Sequence, residues 1–398
     1  MAAEIRAKAA EYKNYTAQLL SELVQIKSYS SQEQDVCARI TEMCREAGFD
    51  TVRTDALGSV IASIGKGPKM IVFDGHIDTV EVGERKNWQL DPFSGLIKDG
   101  KIHGRGSADQ KGGAASMIAA GRILKELAYA GQYTVLFTFT VMEEDCDGMC
   151  WKYLIEEEKI EPDFWVSTEP TSCQLYRGHR GRMEIQCTFR GISSHGSAPE
   201  RGVSAAYKVA RAALAIEKLN ESLQPDEDNF LGKGTAVVSQ IVVNGPSQCA
   251  VPDYGMLYID RRLTWGETAE SAIQQVKDVM GEDVEVVEMP KYVKKGYKNF
   301  DYGQELYFPT WKIEENHPLV QGGIDAYRAL YQKAPNVDKW TFSTNGVSVC
   351  GRHKIPAIGF GPGDEAQAHA PNEFNRTEDL EICAAFYANL VYQMDNIN

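Results

Sequence analysis

Several side chains of this sequence are of types and spacings that could do chemistry. His76 and Asp78 stand two positions apart at the end of an apolar run, residues 70–73. On an extended strand, positions two apart point the same way. Glu143, Glu144 and Asp145 follow a second apolar run, 133–142, and Glu169 follows a third, 163–168. His369 comes after 355–360 across a glycine turn, and Asp109 lies in GRGSADQKGG, directly before a long Ala-rich stretch. Two imidazoles and several carboxylates suit a divalent transition metal, with zinc foremost. If Asp109 bridges, the set suffices for two metals sharing a water, an arrangement that lowers the pKa of water and polarises a carbonyl. Taken singly, each residue has a plainer reading. His76 reads as a loop histidine, Asp109 as a helix cap, and Glu143-Glu144-Asp145 as a solvated acidic loop. Glu169 before Pro170 reads as a strand end and His369 as a surface residue.

The elements around these residues give them a common place. Residues 4–26 and 32–47 have amphipathic helical patterns, the second closed by Gly48. Strand patterns at 60–65, 69–75, 133–142 and 163–170 alternate with helical ones at 111–131 and 151–159, which predicts a mainly parallel α/β sheet. In such sheets ligands bind outside the carboxyl ends of the strands. After Gly181 the order becomes β-α-β-β-α-β, the ferredoxin-like split unit. A Tyr/Lys/Gly-rich stretch, 292–310, reads as a long connection back, followed by a helix at 317–335, a strand at 355–364 and a terminal helix. The expectation is an α/β domain formed by 1–181 plus 311–398, with a ferredoxin-like α+β domain, 182–310, inserted as a lid.

Bulk properties exclude some classes. The 398 residues carry 42 basic against 56 acidic side chains, net charge -14. No Lys/Arg cluster offers the phosphate contacts on which nucleic-acid affinity rests, so no nucleic-acid partner is expected. No apolar run reaches the length of a membrane span, and MAAEIRAKAAEYKNY lacks the apolar centre of a signal peptide. Nine scattered cysteines, an odd number, predict free thiols in a reducing cytoplasm. Cys146 and Cys150 are four apart but have no second pair to complete a thiolate metal site.

Five stretches, HIDTV, GRGSADQKGG, MEED, STEPT and AHAPNE, occur in this order across nearly the whole chain. Together they resemble the M20 metallopeptidase and amidohydrolase family, which includes acetylornithine deacetylase, succinyl-diaminopimelate desuccinylase, carboxypeptidase G and related dipeptidases. Within it the chain is most similar to the YgeY type linked with selenium metabolism. The resemblance implies a cytoplasmic di-zinc hydrolase, with cobalt or manganese as alternative metals. Its reaction would be cleavage of an amide bond in a small N-acyl amino acid or short peptide. A dipeptidase or carboxypeptidase is the alternative among enzymes, and an inactive metal-retaining binding protein the alternative outside them. By the same resemblance His76 would bind one metal and His369 the other, Glu144 and Glu169 would each hold one, and Asp109 would bridge both. Asp78 would orient His76, and Glu143 would be the general base.

The resemblance also implies a homodimer through the lid, with His195, in GISSHGSAPERG, reaching a partner's active site as an oxyanion donor. Arg261 matches a family arginine that grips a substrate carboxylate, a task suited to a guanidinium. Arg262 and a strand salt bridge stay open as alternatives. The chain departs from the family at 343–348, Ser-Thr-Asn-Gly-Val-Ser, where many relatives carry an Asp. Asn345 and Gly346 of that loop are the expected substrate contacts, but the acyl group of the deacetylases or desuccinylases does not carry over.

Overall fold

The computed structural model describes residues 1–396. Its main sheet has nine strands. Strand Lys69–His76 lies near the middle, parallel to Tyr133–Thr140 on one side and to Phe164–Ser167 on the other. Ala357–Gly359 continues parallel to Phe164–Ser167. The centre is thus parallel, as the alternating pattern predicts. The margins are antiparallel, where Val60–Ile64 joins Tyr133–Thr140 and Trp311–Lys312 joins Leu175–His179. Ile71, Val72 and Phe73 are fully buried, because a central parallel strand has helices over both faces and carries an unbroken apolar run.

The terminal helix Thr377–Met394 packs on Lys111–Glu126 and on Pro318–Tyr331. Gly113 lets Lys111–Glu126 begin hard against the sheet, since a Cβ there would stand 2.2 Å from Thr168 Oγ1. The single helix expected over 4–26 is two, Ala2–Glu11 and Lys13–Gln25, broken at Tyr12. The first half buries only Ile5 and Ala9, whereas the second buries a broad apolar face including Leu19, Leu20 and Leu23. No helix among the described residues is long and apolar enough to cross a membrane.

The lid forms a second sheet, ordered Thr235–Asn244, Tyr254–Leu263, Gly181–Arg190, Val286–Glu288. Period-two alternation turns Ile185, Phe189, Leu257 and Ile259 inward under helices Ala205–Ser222 and Ala269–Met280. The stretch expected as a bare connection behaves differently. Tyr297 donates to the Gly58 carbonyl at 2.9 Å, Tyr302 to Glu156 at 3.1 Å and Tyr292 to Asp145 at 2.9 Å. Its tyrosines therefore strap it to the large domain, with apolar rings against that core and hydroxyls on polar partners. The chain's two crossings into the lid lie side by side, where the Gly181 amide donates to Thr310 Oγ1 at 2.9 Å.

Candidate active site

The carboxyl ends of the central strands open into a cavity of about 360 Å³ between the large domain and the lid. His76 ends its strand there, and its Nε2 lies 2.9 Å from Asp109 Oδ1. Glu169 Oε1 is 3.6 Å from the same nitrogen and Glu143 Oε2 is 3.9 Å away. On the other side His369 Nε2 is 2.8 Å from Glu144 Oε2 and 3.5 Å from Asp109 Oδ2. Asp109 thus presents one oxygen to each imidazole. All six side chains expected to meet do meet.

The electrostatics of this cage are those of a site that needs cations. Glu143, Glu169 and His76 are buried. Burial pushes Glu143 well above the usual carboxylate range, with Asp147, Glu169 and Glu144 adding to it against the pull of His76. Burial likewise raises Glu169 well above that range, and burial and Asp109 push Glu144 up to about 7. Burial would raise Asp109 too, but its hydrogen bond to His76 holds it down. Burial alone would lower the His76 imidazole, yet Glu169, Asp109, Asp78 and Glu143 raise it well above the ordinary value. Among the described residues, Glu143 Oε1, Glu144 Oε1 and Glu169 Oε2 are buried without a hydrogen-bond partner. Crowded carboxylates with orphaned oxygens are costly unless a cation compensates them. Two overlapping groups, His76-Glu143-Glu169 and His76-Asp109-Glu144, bring their ligand atoms within 4.8 Å of one another. The donors present fit divalent metal.

Buried carboxylates also hold the loops that carry the cage. Glu373, in the last of the five stretches, accepts the amides of Gly106, Ala108 and Asp109 at 3.1, 2.8 and 3.1 Å. Arg105 donates to it at 2.7 Å. Asp78 stands against His76, as expected for an orienting residue, and against a second neighbour as well. The His76 ring Nδ1 is 3.0 Å from the Asp78 backbone carbonyl and 3.5 Å from its carboxylate. That carboxylate accepts the amides of Glu143 and Glu144, each at 3.1 Å, and the Ser30 hydroxyl at 2.7 Å. It orients the glutamate loop at least as directly as it orients the histidine. Met142 and His369, at φ 61° and 58°, occupy the left-handed region, which non-glycine residues enter mainly where surrounding structure compels them.

Three expectations are corrected. Arg261 is fully buried on the helix-covered side of its strand, where it pairs with Glu267 and donates to Gln275 at 2.9 Å. Arg262, on the opposite face, lines the cavity and is gripped by Asp260 at 2.8 and 3.0 Å. Asn345 lies beneath the cavity floor, donating to Asp74 at 2.9 Å and accepting the Gly148 amide at 2.9 Å. Gly346 abuts the Trp311 indole, with no room for a Cβ. From that loop, Phe342 and Ser343 reach the cavity instead.

His195 is exposed on the lid, 2.7 Å from Ser197 Oγ, and lines a separate surface hollow with Cys249 and Tyr207. It is not in the cavity of its own chain. Arg182, Asp147 and Glu365 also line the cavity, and sequence reasoning missed them. Parity gave a signal for the arginines. With Leu257 and Ile259 inward, Arg261 must follow them and Arg262 must face out, directly across the ladder from Arg182.

Residues 72–393 match the profile of peptidase family M20/M25/M40. The chain is 50% identical over 383 residues to the YgeY protein of Escherichia coli strain K12, covering 96% of this chain and 94% of that one. It is 25% identical over 399 residues to a probable succinyl-diaminopimelate desuccinylase of Staphylococcus epidermidis, covering 90% and 93%. Its fold is similar to that of the aminopeptidase PepT of Bacillus cereus, with a TM-score of 0.73 at 22% identity, covering 96% and 98%.

Proposed function

Because the chain belongs to peptidase family M20/M25/M40, we propose that it is a two-metal hydrolase cleaving an amide bond in a small N-acyl amino acid or short peptide. The observation that carries this reading is Asp109 standing between two imidazoles, one oxygen toward each. His76, Glu169 and Asp109 would hold one metal, and His369, Glu144 and Asp109 the other. Nitrogen and oxygen donors suit zinc, and cobalt or manganese would satisfy the same set. When bound, such a pair supplies a water of lowered pKa and polarises the scissile carbonyl. Glu143, grouped with His76 and Glu169 and not with His369, would take the proton from the attacking water and pass it to the leaving nitrogen. The exposed lid residue His195 would, in a homodimer, donate to the oxyanion in the other subunit's site. Exposed apolar side chains on the lid, Tyr207, Leu214 and Ile241, support a homodimer through that face. Nine free cysteines support a reducing, cytoplasmic setting.

The guanidiniums of Arg182 and Arg262 on the lid wall suit a substrate carboxylate. Glu365 on the same cavity suits a substrate ammonium, and this favours dipeptides as a second reading beside N-acyl amino acids. The test is metal content by elemental analysis, joined to turnover on N-acetyl and N-succinyl amino acids and on dipeptides. About two equivalents with cleavage of one class support the reading. A preparation that neither holds metal nor cleaves any amide overturns it.

A further inference from the structure

One buried carboxylate has no place in the chemistry above. Glu33 is fully buried at the start of helix Gln34–Glu46. Its Oε1 accepts two backbone amides, Ser31 at 2.9 Å and Met142 at 3.1 Å, while Oε2 is buried without a partner among the described residues. A carboxylate in that position is expensive. Capping the turn at Ser31 would account for one of its bonds. The other reaches the residue at which the strand Tyr133–Thr140 has run out and the chain turns left, Met142 at φ 61°.

We propose that Glu33 is a positioning residue, which accepts the Met142 amide and thereby aims Glu143 and Glu144 into the cavity. The inference rests on the two-metal reading of that cavity. The amides of Met142, Glu143 and Glu144 all point away from the cavity, the first into Glu33 and the next two into Asp78. Three successive amides turned inward leave the side chains of Glu143 and Glu144 directed outward and apart, one beside His76 and one beside His369. Asp78 fixes the two glutamates, and Glu33 fixes the turn that delivers them. Without an acceptor, the Met142 amide is buried and unpaired, and a non-glycine residue leaves the left-handed region. The glutamate loop then relaxes, and the metal position served by Glu144 and His369 suffers first.

The test compares the full-length protein with Glu33→Ala, Glu33→Asp and Glu33→Gln. Hydrogen exchange across residues 141–147 is measured in metal-free protein, followed by zinc titration and kinetics on the amide that the parent cleaves. Glu33→Ala and Glu33→Asp, which withdraw the acceptor, are expected to lose amide protection at 142–144. They should weaken one of the two zinc equivalents by about tenfold to a hundredfold, the range for residues that orient metal ligands. kcat should fall and KM should hold. Glu33→Gln, whose side-chain carbonyl accepts the same amide, should recover most of all three. Glu33→Asp behaving like the parent, or unchanged exchange and zinc binding in Glu33→Ala, overturns the inference. A parent that binds no zinc and cleaves nothing overturns the hydrolase reading instead, and exchange at Met142 then still decides whether Glu33 holds the loop.

Discussion

The two walls of the cavity hold their polar side chains in opposite ways. On the sheet domain, His76, Asp109, Glu143 and Glu169 are buried, and the loops that carry them are pinned by their own amides to Glu373, Asp78 and Glu33. On the lid, Arg182 and Arg262 stand partly open on the free face of an antiparallel sheet, and His195 is exposed on a loop. Most of the first wall is buried, with His369 alone among the cage residues more than half exposed, which suits groups that would hold cations and move a proton at a fixed place. The second can be altered without disturbing a core, which suits groups that choose among substrates. Under the proposed function, chemistry and choice would fall to different layers of the fold.

Substitutions sharpen or break this contrast. The largest effect belongs to Asp109→Ala, which removes the one side chain shared by both imidazoles. Both metal equivalents should be lost together in elemental analysis, and turnover with them. Glu143→Gln should keep its metal while kcat falls by about 10²- to 10⁴-fold, the usual share of a general base. Turnover persisting in that variant would break the assignment. The neighbouring arginines separate the core of the lid from its cavity wall within a single dipeptide. Arg261→Ala takes its ion-pair partner from the partly buried Glu267, which keeps the Thr264 amide, and should cost about 1–3 kcal/mol of stability, read as a lowered urea midpoint with KM unmoved. Arg262→Ala should leave the midpoint in place and raise KM by about 1.5–3 kcal/mol worth of lost charged hydrogen bond. The opposite pattern would mean that the lid wall is not the recognition wall.

The last expected effect is a slope with pH, only part of which develops between pH 7 and pH 4.5. His179 is fully buried, with Trp311 Nε1 donating to its Nε2 at 2.7 Å and its Nδ1 2.8 Å from the Arg180 carbonyl. Burial holds this imidazole down at about 4, against 6.5 for a free histidine. The unfolded chain therefore takes up the proton first. The contribution is complete above pH 6.5, shrinks as pH falls toward 4 and shrinks no further below. About 3 kcal/mol is at stake over that window. Urea midpoints of the parent and His179→Gln at pH 7 and pH 4.5 should converge on acidification.

Much of this was legible before any coordinates. The apolar runs ending at His76, Glu143 and Glu169, and the split order after Gly181, are local patterns, and local patterns survive folding. That these side chains would share one sheet edge followed from them, and what they do there is the proposal. The arginine was misread for a different reason. The alternation Leu257, Ile259, Leu263 already placed Arg261 inward, and resemblance alone pointed to it. Asn345 and Glu33 were beyond reach, because their partners lie 197 and 109 positions away and no spacing announces them. The break at Tyr12 was hidden by a helical pattern that runs through it.

The side-by-side crossings at Gly181 and Thr310 have a mechanical meaning. Two adjacent strands of chain make a hinge with one easy axis, and the tyrosine strap on the large domain adds a third tether beyond it. Lys312, which donates to Asp226 at 2.8 Å, ties the same line of contact from the other side. A swing of the lid about that line would carry Arg182 and Arg262 toward or away from the carboxylate cage along a single arc. A cross-link placed near the crossings would barely restrict that arc, whereas one between the lid rim and the loop at Phe342 would stop it altogether.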